Sequence, residues 1–159
     1  MADDFYTQRG VLEASLQSYF RTGTNHSKLW KALHNKRMSL RIVDALVTGY
    51  ARENTLCIKD KNVYLSYKNQ LKSYQKKNFD PFCRQQKFPL RNGELHVMTT
   101  LGQCNFFRWL FVSGIWDWLS NDKNRTVIHK YMHQRGNNKR KFVAVSKRVV
   151  ACKKQRITW

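Results

Sequence analysis

His129 and His133 have the spacing that metal chemistry favours, because residues four apart on a helix share a face. A metal would need a third ligand from elsewhere, with Cys104 or His96 the residues of the right type, and no His-Glu-x-x-His sequence is present. Cys83 stands between Phe82 and Arg84, where a neighbouring cation can favour a thiolate. A nucleophilic cysteine also needs an imidazole base, and no family-specific surrounding supplies one. Apart from adjacent Asp3 and Asp4 the 10 acids are scattered singly, so they suggest no paired-carboxylate site of the kind a metal-dependent nuclease uses. Gly23, Gly49, Gly102 and Gly114 form no phosphate-cradling loop. No catalytic residue, metal ligand or cofactor is assigned on these grounds, and the chain reads as a binder rather than an enzyme.

Charge points to what it binds. The 159 residues carry 30 Lys and Arg against 10 Asp and Glu, a formal +20. A compact chain with that charge repels itself unless anions neutralise it. The last acid is Asp122, and the stretch from Lys123 to Trp159 holds 12 Lys and Arg. An acid-free run interleaved with apolar residues suits a surface that contacts anions. The residues expected to touch phosphate are Lys72, Lys76, Lys77 and Arg84 in one group. The other group is Lys139, Arg140, Lys141, Lys147, Arg148, Lys153, Lys154 and Arg156. Around the first group lie Tyr64, Tyr67, Tyr74, Phe79 and Phe82, which can stack on exposed bases or simply fill the core. Four widely spaced cysteines, Cys57, Cys83, Cys104 and Cys152, suggest neither a disulfide framework nor a Cys₄ zinc site.

Elements must position these groups. Apolar spacing predicts helices over Val11–Phe20 and Lys28–Lys36, the latter capped by Ser27, and a stronger one over Leu40–Asn54 capped by Ser39. Thr55–Lys59 and Val63–Tyr67 read as a β-hairpin, with a helix over Lys68–Lys77 after it. Three helices and a hairpin are the order of a winged helix, but Asp44 and Glu53 offset Arg41 and Arg52 on the would-be reading helix. Asn92-Gly93 predicts a turn between Lys87–Leu90 and Glu94–Thr99. Thr100 caps an apolar helix, Leu101–Val112, which Gly114 interrupts before a second helix from Ile115 to about Met132. Phe106, Trp109, Leu110, Trp116 and Leu119 are the expected core. Gly136-Asn137-Asn138 should end the helical part, with Phe142–Val150 extended.

Three stretches carry a resemblance: Met38-Ser-Leu-Arg-Ile-Val-Asp44, Asn62-Val-Tyr-Leu-Ser-Tyr-Lys-Asn-Gln-Leu-Lys72 with Phe79-Asp-Pro-Phe-Cys-Arg84, and Thr99-Thr-Leu-Gly-Gln-Cys-Asn-Phe-Phe-Arg-Trp109. Over roughly residues 38–120 the chain resembles small basic uncharacterised proteins of nucleocytoplasmic large DNA viruses, of the mimivirus and phycodnavirus kind. The resemblance implies a viral setting and brings no catalytic residues with it.

The expectation is an α+β, helix-dominated single domain over residues 1–135, with a β-hairpin, and a basic, partly extended C-terminal arm over 136–159. The expected function is that of a non-enzymatic virion structural protein, a minor capsid or core component. It would contact nucleic acid, DNA above all, through phosphates, or else an acidic protein surface. A free nucleic-acid-binding regulator or packaging factor, winged-helix-like, is the alternative. Other virion proteins are expected partners, and the virion or the host-cell viral factory the expected location. No signal peptide and no membrane span are read, so secretion is not expected.

Overall fold

The computed structural model describes residues 7–155, with side-chain surroundings through Arg140. The architecture is α+β and dominated by helices, with two small antiparallel hairpins. Thr7 caps α1 (Gln8–Arg21), its hydroxyl accepting from the Gly10 N–H at 3.1 Å. Leu12, Leu16 and Phe20, four residues apart, are the buried stripe of α1. α2 (Asn25–Leu33) buries His26, Leu29 and Ala32; Thr24, not Ser27, holds its cap position. α3 (Leu40–Asp44) begins after Ser39 as expected and runs through a π-helical turn, Ala45–Tyr50, into α4 (Ala51–Glu53). The wide turn re-phases the helix, so that Ile42, Val43, Leu46, Val47 and Ala51 all reach the core.

The first hairpin is shorter than its sequence suggests. β1 (Cys57–Ile58) and β2 (Lys61–Asn62) pair around Lys59 and Asp60, whose φ values of 50° and 60° are left-handed. Val63–Tyr67, expected to be a strand, is instead the start of α5 (Val63–Tyr74). Asn62 Oδ1 accepts from the Leu65 N–H at 2.9 Å, a side-chain cap that opens a helix. Val63, Tyr67, Leu71 and Tyr74 are spaced by four, four and three, and this face packs on the core while Leu65 is 59% exposed. The alternation seen in the sequence was part of a helical stripe. The strand that a wing requires is therefore absent here, and the winged-helix order is not realised.

β3 (Phe88–Asn92) and β4 (Leu95–Thr99) form the second hairpin, with Leu90 opposite Val97 and Asn92 opposite Leu95. Its turn is Gly93-Glu94, one residue later than the Asn92-Gly93 reading. α1 and α2 clasp β3. Gln17 Nε2 donates to the Pro89 carbonyl at 3.3 Å, and a His26 ring nitrogen lies 3.0 Å from the Leu90 carbonyl.

α6 (Leu101–Val112) is apolar on nearly every side and sits at the centre, as a helix without a polar face must. Thr100 caps it, accepting from the Gln103 N–H at 3.1 Å. An aromatic spine runs along it. Phe79 meets Phe106 and Trp109 edge to face, at ring-centre distances of 5.5 and 5.6 Å, and Phe107 meets Trp116 at 5.6 Å. The five expected core residues, Phe106, Trp109, Leu110, Trp116 and Leu119, are all buried. Gly114, at φ 76°, ends α6 and starts α7 (Ile115–Ser120) in a conformation that side chains with a Cβ resist.

The C-terminal third departs from expectation. Asn121 adopts an extended backbone, which breaks the helix predicted from Ile115 to Met132. α8 (Asp122–Gln155) then continues for 34 residues, about 51 Å at 1.5 Å per residue. It passes through Gly136-Asn137-Asn138 and through the boundary at 135/136 without interruption. The extended strands expected in Phe142–Val150 are helical. One glycine costs a helix only about 1 kcal/mol, and Asn and Val less, so these residues weaken a long helix without ending it. Arg156 lies outside the described residues.

Candidate nucleic-acid interface

The two expected basic groups stand on different supports. In the first, α5 carries Lys68 and Lys72, both exposed, and ends at Tyr74. Gln75, at φ 63°, reverses the chain into a 3₁₀ turn, Lys76–Asn78, and Phe79 then enters the core fully buried. Lys76 and Lys77 are thereby held outward. Gln85 donates to the Lys77 carbonyl, which ties the loop that carries exposed Arg84 back to the 3₁₀ turn. Asn105, buried on α6, donates to the Asn78 carbonyl at 3.0 Å. The fold thus gathers Lys72, Lys76, Lys77 and Arg84 onto one fixed corner.

Beneath this corner lie acids that looked isolated in the sequence. Lys76 Nζ is 3.9 Å from Asp80 Oδ2, a loose pair whose lysine remains 80% exposed and which is worth little. Partial burial and then the Asp80 carboxylate raise the Asp44 carboxyl above its usual value. Burial first, then Asp80, Asp44 and Tyr64, raise the Tyr67 phenol. The aromatics of this segment divide sharply. Tyr67, Tyr74 and Phe79 pack into the core, and Tyr64 lies half-buried under the Arg52 guanidinium, 5.9 Å from its ring centre. Of the five, Phe82 is exposed, at 52%.

The second group rides on α8. Ile128, Tyr131 and Met132 pack its first half against the core. The Tyr131 ring meets Tyr50 edge to face at 5.5 Å, and Arg135 lies over that ring while donating to its hydroxyl at 3.1 Å. Burial and a hydrogen bond to Glu53 raise the Tyr131 phenol, and Arg135 opposes them. From His133 to Arg140 every residue is exposed, Lys139 and Arg140 included. Lys141, Lys147, Arg148, Lys153 and Lys154 continue on the same helical backbone. Among the described residues the ion pairs are Lys28–Asp117, Arg125–Asp122 and Lys76–Asp80, so none of them engages Lys72, Lys77, Arg84, Lys139 or Arg140.

The metal and thiol readings gain no assembly. His129 and His133 are both exposed on α8, His96 is exposed on β4, and Cys104 is buried with its thiol pushed well up by that burial. Among the described residues no group of three or more His, Cys, Asp or Glu could hold a metal ion. Cys83 is half-buried on the loop after Asp80. No helix among the described residues is long and apolar enough to cross a membrane.

A third basic feature was missed in the sequence. Trp30, an apolar residue of the helix predicted over Lys28–Lys36, is 50% exposed, and its ring stacks on His34. Lys31, Lys36 and Arg37 surround the pair in sequence and are exposed. The signal was present: Trp30 directly follows Leu29, and two adjacent helix positions, about 100° apart, do not share the centre of one face.

Residues 3–156 match a family of unknown function, DUF7197. The uncharacterized protein L507 of Acanthamoeba polyphaga mimivirus is 33% identical over 86 residues. That match covers 45% of this chain and 33% of the relative, so the chain spans about a third of the length of the curated relative it matches. The viral resemblance expected from the sequence agrees with this relative. No solved structure matches the chain.

Proposed function

The chain belongs to the DUF7197 family, and we propose that it is a non-enzymatic basic structural protein of a large DNA virus, holding nucleic acid through its phosphates inside the particle or the viral factory. One observation carries this reading. Past Arg135, which lies over the Tyr131 ring, α8 continues as a helix whose sequence holds cations and no acid. A helix with that sequence, exposed from Gly136 to Arg140, offers lysines and arginines to an external polyanion. Affinity then comes from counterion release, which reads charge and not base sequence. The fixed corner of Lys72, Lys76, Lys77 and Arg84 adds a second contact. The mimivirus relative supports the setting.

The test measures affinity for a random DNA duplex across a salt series. The full chain is compared with a variant carrying Lys139→Ala, Arg140→Ala, Lys141→Ala, Lys147→Ala and Arg148→Ala. The expected result is a steep salt dependence whose log–log slope flattens by about 0.9 for each phosphate contact removed. Equal slopes for the two proteins would remove α8 from the interface. Negligible binding near physiological salt would turn the basic surface toward an acidic protein partner.

A further inference from the structure

We propose that Trp30 and His34 form a base-stacking platform, flanked by Lys31, Lys36 and Arg37, that gives this protein a preference for unpaired nucleotides in a single strand. The inference rests on the phosphate-binding reading above and adds to it a second mode of contact at a different place.

The ring geometry comes first. The Trp30 and His34 ring centres are 4.4 Å apart with an interplanar angle of 26°. The His34 Nδ1–H donates to the Trp30 carbonyl at 2.8 Å, which holds the imidazole against one face of the indole. Half of the Trp30 surface stays in solvent while the imidazole covers part of the ring. Such a pair is pre-ordered for a third flat ring.

The support is rigid. α2 is anchored by His26, Leu29 and Ala32, each no more than 5% exposed, so the platform stands on a fixed helix and not on a loop. The charge is complementary to a nucleic-acid strand. Between Glu13 and Asp44 the chain has no acid, and Arg21, Lys28, Lys31, Lys36, Arg37 and Arg41 fall in that interval. Among the described residues the acid paired with a cation of this interval is Asp117, which Lys28 engages at 3.4 Å. Lys28 also lies over the Phe111 ring, 4.8 Å from its centre.

These features select the ligand. A lone exposed aromatic is unremarkable on a surface. An exposed tryptophan backed by a stacked imidazole, with exposed Lys31, Lys36 and Arg37 near it in sequence, fits a planar group attached to an anion, which is a nucleotide. In a duplex the base faces are already stacked, so the platform can take only a base that is unpaired or flipped out.

The experiment uses the full chain with three probes: a labelled single-stranded oligonucleotide of about ten nucleotides, within the range that one small domain covers, an abasic sugar-phosphate strand of the same length, and a duplex. Wild type is compared with Trp30→Ala and Trp30→Phe, each checked for native circular dichroism. Wild type should prefer the base-bearing strand to the abasic one. Trp30→Ala should weaken base-bearing binding about tenfold, the worth of one stacked base, leave abasic binding unchanged, and be largely rescued by Trp30→Phe. The proposal is overturned if wild type binds both strands equally, or if Trp30→Ala weakens both alike. In either case continued binding to the abasic strand keeps the phosphate reading intact. Loss of binding to all three probes in wild type would overturn both readings.

Discussion

The two expected basic regions contain the same chemistry on opposite mechanical supports. The corner at Lys72, Lys76, Lys77 and Arg84 is clamped. Phe79 is fully buried directly after it, Asn105 holds the Asn78 carbonyl, and α6 approaches so closely that Gly102 faces the backbone. The cations of α8 beyond Arg135 are exposed through Arg140, where side-chain surroundings are described, and the helix backbone that carries them runs on. A clamped corner presents its charges at set positions and can favour one backbone shape. A helix clear of the core can meet an irregular polyanion with little strain. Charge count alone does not say how a basic region works; its attachment does.

The largest way to break the comparison is at the clamp. Phe79→Ala should lose about 3–5 kcal/mol of stability in chemical denaturation, because it empties the centre of the aromatic spine. It should also disorganise the corner while leaving α8 helicity intact. A loss below about 1 kcal/mol would mean that the ring is replaceable by solvent or neighbours.

Two glycines sharpen the contrast at smaller cost. A Cβ at Gly102 would stand 2.7 Å from the Asp80 carbonyl oxygen and 3.1 Å from that of Lys77, and backbone atoms yield poorly. Gly102→Ala should therefore destabilise by about 1–3 kcal/mol and shift the corner. At Gly49 the atoms in the way are the Tyr131 hydroxyl at 2.6 Å, its ring Cε1 at 3.2 Å and the Arg135 guanidinium at 2.8 Å, and the buried tyrosine ring is held against Tyr50. Gly49→Ala should destabilise less than Gly102→Ala in denaturation, the helix gain of about 1 kcal/mol offsetting part of the cost of displacing Tyr131 and Arg135.

The smallest effect is expected at Gly136, where nothing lies within 4 Å of an added Cβ. Gly136→Ala should stabilise α8 by about 1 kcal/mol, read as increased helicity and slower amide exchange across residues 130–142. Unchanged exchange would show that the helix is not continuous there in solution.

Much of the fold was legible where one residue decides locally. Thr100 capping α6, the stripe of Leu12, Leu16 and Phe20, and the break at Gly114 all follow from short-range chemistry. Val63–Tyr67 was not legible as a helix, because alternating and helical spacings share Val63 and Tyr67, and only the Asn62 cap distinguishes them. Gly136-Asn137-Asn138 misled for the opposite reason. Weak helix formers mark an end only when another structure competes, and none does along α8.

By itself the sequence determined the helix-dominated α+β class, the +20 charge and its concentration after Asp122, and the apolar identity of α6. These depend on composition and on residues within a few positions of one another. Only the tertiary structure decided which aromatics are core and which reach solvent, since Tyr67 and Phe82 look alike until the burial of Phe79 orients their segment. It also decided that Gln85 ties its loop to the Lys77 carbonyl, that Asp44 feels Asp80, and that Trp30 is half exposed on a stacked histidine. The Asp44–Asp80 relation joins segments distant in sequence, and the exposure of Trp30 depends on which face of α2 the rest of the chain covers; close packing sets them, and no local pattern encodes them.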